Sequence, residues 1–133
     1  MLFERITKAD PEVLKIFIPC RKNFIYSSKS AIKQLGKIIK NSVFFYKVYH
    51  DTGEFKGCLF IDSIDDENKV IEFGGFADRH AQTAKAIKQL IAYFKHFYPD
   101  YQIKAITNKL PARMSLIRAG LKNTTGGYIY DEQ

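Results

Sequence analysis

Residues 70–98 combine two periodicities that constrain the fold more than any other part of the chain. An apolar run at 70–77, rich in β-branched and aromatic residues, predicts a strand. A short polar segment follows, and apolar residues then recur every three or four positions from 85 to 98, which predicts an amphipathic helix. The backbone amides at such a helix start suit an anion such as a phosphate. The alternative is an ordinary strand and helix whose junction contacts only water, and both interpretations stay open.

The remaining residues divide into short elements between turn signals. Predicted strands lie at 2–6, 42–50, 55–63, 69–77, 101–107 and 128–130, and predicted helices lie near 11–17, 28–40, 85–98 and 111–119. Thr7 or Asp10 caps the first helix, and Gly120 ends the last. The order is β-α-α-β-β-β-α-β-α-β, an α/β chain with a mixed sheet. Because a helix joins the fourth and fifth strands, these strands are expected to be parallel or splayed neighbours.

Length and composition favour one compact domain over residues 1–133. The sequence has no internal repeat or linker, and no apolar run approaches the length that crosses a bilayer. The polar start argues against a secretory signal, so a cytoplasmic protein without a membrane partner is expected. Cys20 and Cys58 belong to no paired motif, which predicts reduced thiols. The three histidines are scattered, so no metal is expected.

Basic residues outnumber acidic ones and give a formal net charge of +7. This charge favours an anionic partner, which is a nucleic acid, an acidic protein or a multiply phosphorylated cofactor. The lysines are spread over almost every predicted helix, as expected of solvated faces, and no arginine-rich tract or nucleic-acid motif occurs. Charge alone does not choose among the three partners, but the absence of such a motif argues against a nucleic acid.

Residues 106–121 carry a more specific pattern, in which a strand end is followed by Asn108, an alanine, a helix and Gly120. This pattern and the order of elements resemble the GCN5-related N-acetyltransferase (GNAT) superfamily over nearly the whole chain, with Leu121 where phenylalanine is usual. The resemblance implies a GNAT fold with a central splay between the fourth and fifth strands. It also implies that acetyl-CoA binds in this splay as a co-substrate.

The family's pyrophosphate-binding loop reads Gln/Arg-x-x-Gly-x-Gly/Ala, and the matching residues here are 79–84. Arg79 and Ala84 match this loop, whereas Gln82 stands where the first glycine is usual. Glycine at that place permits positive φ or a close approach to phosphate. The resemblance implies that backbone amides, the Thr83 hydroxyl and basic charge hold the pyrophosphate. The implied ligands are Arg79, His80, Ala81, Gln82, Thr83, Ala84 and Lys85.

The resemblance further implies that backbone groups at Phe73, Gly74 and Phe76 bind the acetyl group and the pantetheine arm as an added strand would. The glycine pair at 74–75 has a second explanation, which is a bulge that needs no ligand. Asn108 is implied to contact pantetheine, and a helix N-cap explains this asparagine equally well.

Acetyl transfer needs a base that removes a proton from the amine and an acid that protonates the leaving thiolate. Glu72 is the candidate base, because it interrupts an apolar run and some members of the family place a glutamate on this strand. Alternatively, Glu72 faces solvent or pairs with a strand lysine such as Lys47 or Lys56. The family's usual acid is a tyrosine, and its position here is Leu116, which cannot donate a proton. The hydroxyl groups that could replace it belong to Ser115, Tyr128 and Tyr130.

These features favour an N-acetyltransferase that transfers acetyl from acetyl-CoA to an amine of a small molecule or protein. The alternative is a non-catalytic GNAT-fold binding or structural protein, in the manner of small phage members. Nucleic-acid binding through the basic surface is a distant third. The chain ends soon after its sixth predicted strand, whereas many relatives have a seventh, so an uncovered sheet edge and a homodimer are further expectations.

Overall fold

Seven strands and four α-helices form the part of the chain that the computed structural model describes, which covers residues 1–24, 30–78, 81–105, 107 and 110–130. The strands are β1 (Leu2–Arg5), β2 (Phe44–Tyr49), β3 (Phe55–Asp65), β4 (Val70–Ala77), β5 (Gln102–Ala105), β6 (Leu121–Thr124) and β7 (Gly127–Tyr130). The helices are α1 (Pro11–Phe17), followed by a 3₁₀ helix (Ile18–Asn23), α2 (Ala31–Asn41), α3 (Thr83–Phe97) and α4 (Leu110–Arg118). Within these residues no helix is long and apolar enough to cross a membrane.

The strands form one mixed sheet in the order β1-β2-β3-β4-β5-β7-β6. β2 pairs antiparallel with β1 and with β3, and β7 pairs antiparallel with β5 and with β6. β4 and β5 are parallel neighbours, and α3 is the crossover helix that connects the end of β4 to the start of β5. The predicted α/β class, the mixed sheet and the parallel neighbours joined by a helix are confirmed.

The C-terminal segment contains a strand that the sequence pattern did not indicate. β6 and β7 form a hairpin, in which the Thr124 hydroxyl donates to the Gly127 carbonyl at 2.8 Å. The expectation of six strands with an uncovered sixth was therefore wrong. β6 escapes a search for alternating apolar residues because Leu121 is its only buried residue. Its other three residues are polar and exposed, which protects this edge of the sheet against further pairing.

Short polar side chains set the starts of the early helices. The Asp10 carboxylate accepts a hydrogen bond from the Val13 amide at 2.9 Å, so Asp10 caps α1. Ser30 caps α2 in the same way, and the predicted start of that helix at 28 lies outside the described residues. At the other end of the chain, Gly120 has φ of 99° and follows α4, as a helix-terminating glycine does.

Contacts within the chain group its residues into two compact units. The first contains Met1–Asp62 and Gly75–Ala81, and the second contains Ser63–Gly74 and Gln82–Gln133. β3 and β4 therefore contribute residues to both units. In the first unit, the Phe45 and Phe60 rings stack with centroids 5.4 Å apart. The buried core around them consists of Val13, Phe17, Leu35, Ile38, Ile39, Phe45, Cys58, Phe60 and Phe76.

The second unit has its own buried apolar residues, which α3, α4 and four strands supply. Along β4, the buried Ile71 and Phe73 flank the half-buried Glu72, and along β5 the half-buried Lys104 alternates with buried neighbours. Because successive side chains of a strand point to opposite faces, one face of these strands is apolar and the other carries Glu72 and Lys104. The buried residues of this unit include Ile71, Phe73, Ala86, Ile87, Leu90, Ile91, Phe94, Ile103, Ala105, Leu116, Ala119, Leu121 and Tyr128.

Two glycines lie where β3 and β4 approach each other closely in the first unit. A Cβ added to Gly75 would lie 2.6 Å from the Cys58 carbonyl oxygen and 2.7 Å from Leu59 Cδ2. A Cβ added to Gly57 would lie 2.8 Å from the Phe76 carbonyl oxygen. Contacts this short require the backbone or its neighbours to move. The backbone of the adjacent strand therefore accounts for Gly75 without any ligand.

Replacing Gly75 by alanine is expected to destabilise the protein by about 1–3 kcal/mol, because the methyl group overpacks the contact with β3. The measurement is urea unfolding followed by circular dichroism. Gly36→Ala is the matched control, since a Cβ there meets nothing within 4 Å and the residue lies inside α2. It should stabilise by roughly 0.5–1 kcal/mol. A Gly75→Ala variant as stable as the unsubstituted chain would show that β3 does not exclude a side chain at this position.

One lysine of the first unit is buried, and carboxylates neutralise its charge. Lys47, on β2, exposes 5% of its surface, and its Nζ lies 2.9 Å from Asp10 Oδ2 and 3.1 Å from Glu12 Oε2. The Phe55 ring also faces this ammonium, with its centroid 4.8 Å away. Burial tends to raise the pKa of Asp10. Hydrogen bonds from the Val13 amide and from Lys47 outweigh that tendency and hold the pKa of Asp10 below its ordinary value.

This pairing predicts a loss of stability in acid. A carboxyl group with a lowered pKa stabilises the fold above its ordinary pKa of 3.8, and the contribution disappears as the pH falls through the lower, folded-state pKa. Asp10→Asn keeps the helix cap and removes the charge. It should lower the free energy of unfolding by about 1 kcal/mol at pH 7, a modest loss because the Asp10 side chain is partly exposed and solvent screens its charge. The cost should shrink as unfolding is measured at progressively lower pH below about 4. The exposed Asp62, changed to asparagine, is the control, and a pH-independent cost at Asp10 would refute the ion-pair explanation.

Candidate functional site

The parallel ladder of the second unit ends partway along β4. It pairs Val70 with Gln102 and continues to Phe73, which pairs with Ala105. β4 itself extends beyond this ladder to Ala77. Gly74 is therefore the first residue of β4 past its ladder with β5, as expected for a strand that leaves its parallel neighbour.

The start of α3 presents backbone amides that the helix itself does not use. The first intrahelical hydrogen bond runs from the Ala86 amide to the Gln82 carbonyl at 3.1 Å, so the amides of Thr83 and Ala84 precede it. The Gln82 side chain makes no capping hydrogen bond, and the first turn contains no acidic residue. A helix start with this composition attracts an anion through its dipole.

The backbone at Gln82 does not require glycine. Its φ is −84° and its ψ is 64°, so φ is negative and accessible to any residue. Within the described part of the chain, the one positive φ outside glycine is at Lys69. The conformational reason for a glycine at this loop position is therefore absent here.

The remaining implied cofactor ligands divide into three groups. The Ala81 amide donates to the Asp78 carbonyl at 3.2 Å, so it is engaged within the protein. Arg79, His80 and Asn108 lie outside the described residues, so their roles stay predictions. Phe73 and Phe76 are both buried, and the Phe76 ring packs 5.3 Å from that of Phe17 in the core of the first unit. Their side chains therefore belong to the protein interior, and only their backbone groups are suited to a ligand.

Glu72 occupies the less buried face of β4 and is half-buried. The two lysines considered as its partners pair with other carboxylates, because Lys47 binds Asp10 and Glu12 while Lys56 lies 3.4 Å from Glu54. The ion-pair alternative for Glu72 at these two positions is thus not observed. Instead, the parallel register puts Lys104 beside Glu72 on the neighbouring strand. The sequence pattern does not indicate this neighbour, because it leaves the register of β5 against β4 open.

The candidate acids differ in where the structure puts them. Leu116 is buried with 4% of its surface exposed, and Ser115 next to it is half-buried. Tyr128 is also buried and pairs in register with Ala105, which in turn pairs with Phe73. Because these residues share one row of the sheet, Tyr128 lies on the face opposite Glu72. The structure therefore does not bring Tyr128 together with the candidate base.

Both cysteines are free thiols. Burial raises the pKa of Cys58, and it also raises the pKa of the half-buried Cys20, whose Sγ lies 3.9 Å from the Ala77 carbonyl oxygen. Neither thiol is therefore an activated nucleophile. Among the described residues, no group of three or more His, Cys, Asp and Glu side chains is arranged to hold a metal ion.

Comparison with known proteins identifies the architecture. No family model matches the sequence, and no curated protein matches it significantly. Solved structures do match it. A variant of spermidine N-acetyltransferase SpeG from Vibrio cholerae superposes with a TM-score of 0.66 at 10% identity, over 93% of this chain and 82% of that one. This chain has the GNAT fold.

Two other acetyltransferases with the GNAT fold are similar to the same extent. A ribosomal-protein alanine acetyltransferase from Vibrio fischeri gives a TM-score of 0.66 at 14% identity, over 91% of this chain and 79% of that one. RimL, a ribosomal alpha-N-protein acetyltransferase in complex with coenzyme A, gives a TM-score of 0.65 at 12% identity, over 90% of this chain and 80% of that one. At these identities the GNAT fold is what the chains share.

Proposed function

We propose that this protein is an N-acetyltransferase that uses acetyl-CoA and an amine acceptor. The observation that carries the proposal is the start of α3, where amides precede the first intrahelical bond and no acidic residue opposes an anion. Solved structures with the same fold are N-acetyltransferases, and one of them contains coenzyme A, which supports the use of acetyl-CoA here. Their low identity leaves the acceptor open.

The residues at the helix start fit a pyrophosphate. The amides of Thr83 and Ala84 and the Thr83 hydroxyl supply hydrogen bonds, and Lys85 supplies charge at the same turn. The negative φ of Gln82 means that this position adopts its conformation without glycine. Backbone groups of Gly74, past the ladder with β5, are suited to extend a ligand along the strand edge.

Glu72 is proposed to act as the base. It takes a proton from the acceptor ammonium, and the neutral amine nitrogen then attacks the thioester carbonyl carbon. The new C–N bond forms as the C–S bond breaks. The second nitrogen proton passes to the departing thiolate, so the products are the acetylated amine and the thiol of coenzyme A. No tyrosine stands at the Leu116 position to supply that last proton, so it reaches the thiolate through water.

The second candidate function is binding without catalysis, and one observation favours it. Leu116 is buried and replaces the family's usual proton donor, so one part of the transfer machinery is absent. In that case the protein would bind coenzyme A or a partner without releasing thiol. Turnover assays distinguish the two functions.

A negative charge at the start of α3 should weaken cofactor binding without lowering the stability of the protein. Thr83→Asp is expected to leave the helix as stable or to stabilise it by about 0.3–1 kcal/mol, since acidic residues favour helix N-termini. It should weaken coenzyme A binding by about tenfold or more, through repulsion of the pyrophosphate. Isothermal titration calorimetry measures the affinity. Ala92→Asp, an equal charge change at an exposed position of α3, should leave it unaltered.

If the unsubstituted chain produces no binding heat with acetyl-CoA or coenzyme A at high protein concentration, the cofactor proposal fails. Equal affinities for the two aspartate variants would show that the ligand binds elsewhere.

Removing the candidate base should stop transfer and spare binding. Glu72→Gln keeps the size of the side chain, so coenzyme A affinity should be unchanged while thiol release from acetyl-CoA falls by on the order of 10²–10⁴-fold. Thiol release is followed with a chromogenic disulfide over a panel of amines. Glu67→Gln, in an exposed turn, is the control and should be fully active. Normal turnover by Glu72→Gln would reject this base even in an active enzyme.

A further inference from the structure

A row of residues crosses the second unit on the sheet face that carries Glu72. The register pairs Glu72 on β4 with Lys104 on β5, Lys104 with Ile129 on β7, and Ile129 with Lys122 on β6. Neighbouring strands lie about 4.8 Å apart, so Lys104 is one strand spacing from Glu72. Lys122 is two spacings further along the row. A carboxylate at one end is thus followed by two ammonium groups.

This row is accessible to a ligand. Glu72, Lys104 and Ile129 are half-buried and Lys122 is exposed. At the far end of the row, Ile129 and Lys122 also line an open cavity of about 510 Å³, whose lining does not include Glu72 or Lys104. In the described part of the chain, the side chains of Glu72 and Lys104 make neither an ion pair nor a hydrogen bond. Their charges are therefore available to a bound molecule.

The order of charges discriminates among amines. The Glu72 carboxylate attracts the acceptor ammonium, whereas the Lys104 ammonium next to it repels a second positive charge and attracts a negative one. A polyamine brings several positive charges to this row, and every charge beyond the first meets a lysine. An amine that carries a carboxylate about one strand spacing from its nitrogen matches both groups, with its ammonium at Glu72 and its carboxylate at Lys104.

We propose that the acceptor is a carboxylate-bearing amine and that Lys104 binds its carboxylate while Glu72 receives the proton. The inference rests on the proposed transferase function, and it names the acceptor class that this chain favours. Two sources offer this chemistry, which are a small amino acid and a peptide whose first residue is acidic. The fold neighbour SpeG is named for spermidine, so acceptor preference is expected to differ between the two chains.

The experiment compares matched acceptors by thiol release and fits kcat and KM separately. γ-Aminobutyrate is paired with its primary amide, the amide of the peptide Asp-Ala-Ala is paired with that of Asn-Ala-Ala, and spermidine is the polycation. The unsubstituted chain should prefer the acid in at least one pair, and that pair identifies the source. Lys104→Glu should raise KM for the acid by about tenfold with little change in kcat, and should lower KM for spermidine. Lys37→Glu, the same charge change on an exposed face of α2, should change neither.

Preference of the unsubstituted chain for spermidine, or an acid-to-amide ratio that Lys104→Glu leaves unchanged, would overturn the acceptor assignment. Absence of thiol release with every amine would instead refute the proposed transferase function. Whether the row still binds a carboxylate-bearing amine is then decided by nitrogen-resolved NMR titration with the same pairs in the presence of coenzyme A. Shifts at Lys104 and Ile129 that are larger for the acid than for its amide support the site, and equal shifts reject it.

Discussion

The path of β4 depends on a contact that leaves no room for a side chain. At Gly75 the backbone of β3 comes so close that a single methyl group would meet the Cys58 carbonyl oxygen at 2.6 Å. Glu72 lies three residues earlier on this strand, and the segment leading to α3 begins three residues later. The strand that carries the candidate base therefore also carries, at Gly75, a stretch of backbone whose course is set by its packing against β3.

Elements with regular periodicity were predictable from the sequence, whereas strand register and the short strand β6 were not. β3, β4 and α3 each show a sustained pattern bounded by turn residues, so their existence and order followed from it. β6 has one buried residue, and four residues with one apolar position do not form a pattern. The neighbour of Glu72 also escaped prediction, because which β5 residue lies beside it depends on strand register, and the sequence pattern does not set that register.

Lys47 and Lys104 both lie on strands, and they differ in burial and in their partners. Lys47 is buried and pairs with two carboxylates, as a cation removed from water must. Lys104 remains half-buried and, within the described residues, has no such partner, although Glu72 is next to it in register. Sequence alone made Lys47 a possible partner of Glu72, because burial of a lysine is not visible in a strand pattern. In the structure Lys47 binds Asp10 and Glu12, and the residue beside Glu72 in register is Lys104.

Loss of the usual tyrosine weighs less against catalysis than loss of a base would. An alkyl ammonium with a pKa near 10.4 is neutral in only about one molecule in 2,500 at pH 7, so its deprotonation costs about 4.6 kcal/mol. A thiol with a pKa near 8.5 leaves as thiolate at a cost of only about 2 kcal/mol at the same pH. The greater need is therefore for a group that accepts the ammonium proton, which is the role proposed for Glu72. Leucine at position 116 removes the smaller of the two contributions, and water can supply the thiolate proton after the C–S bond has broken.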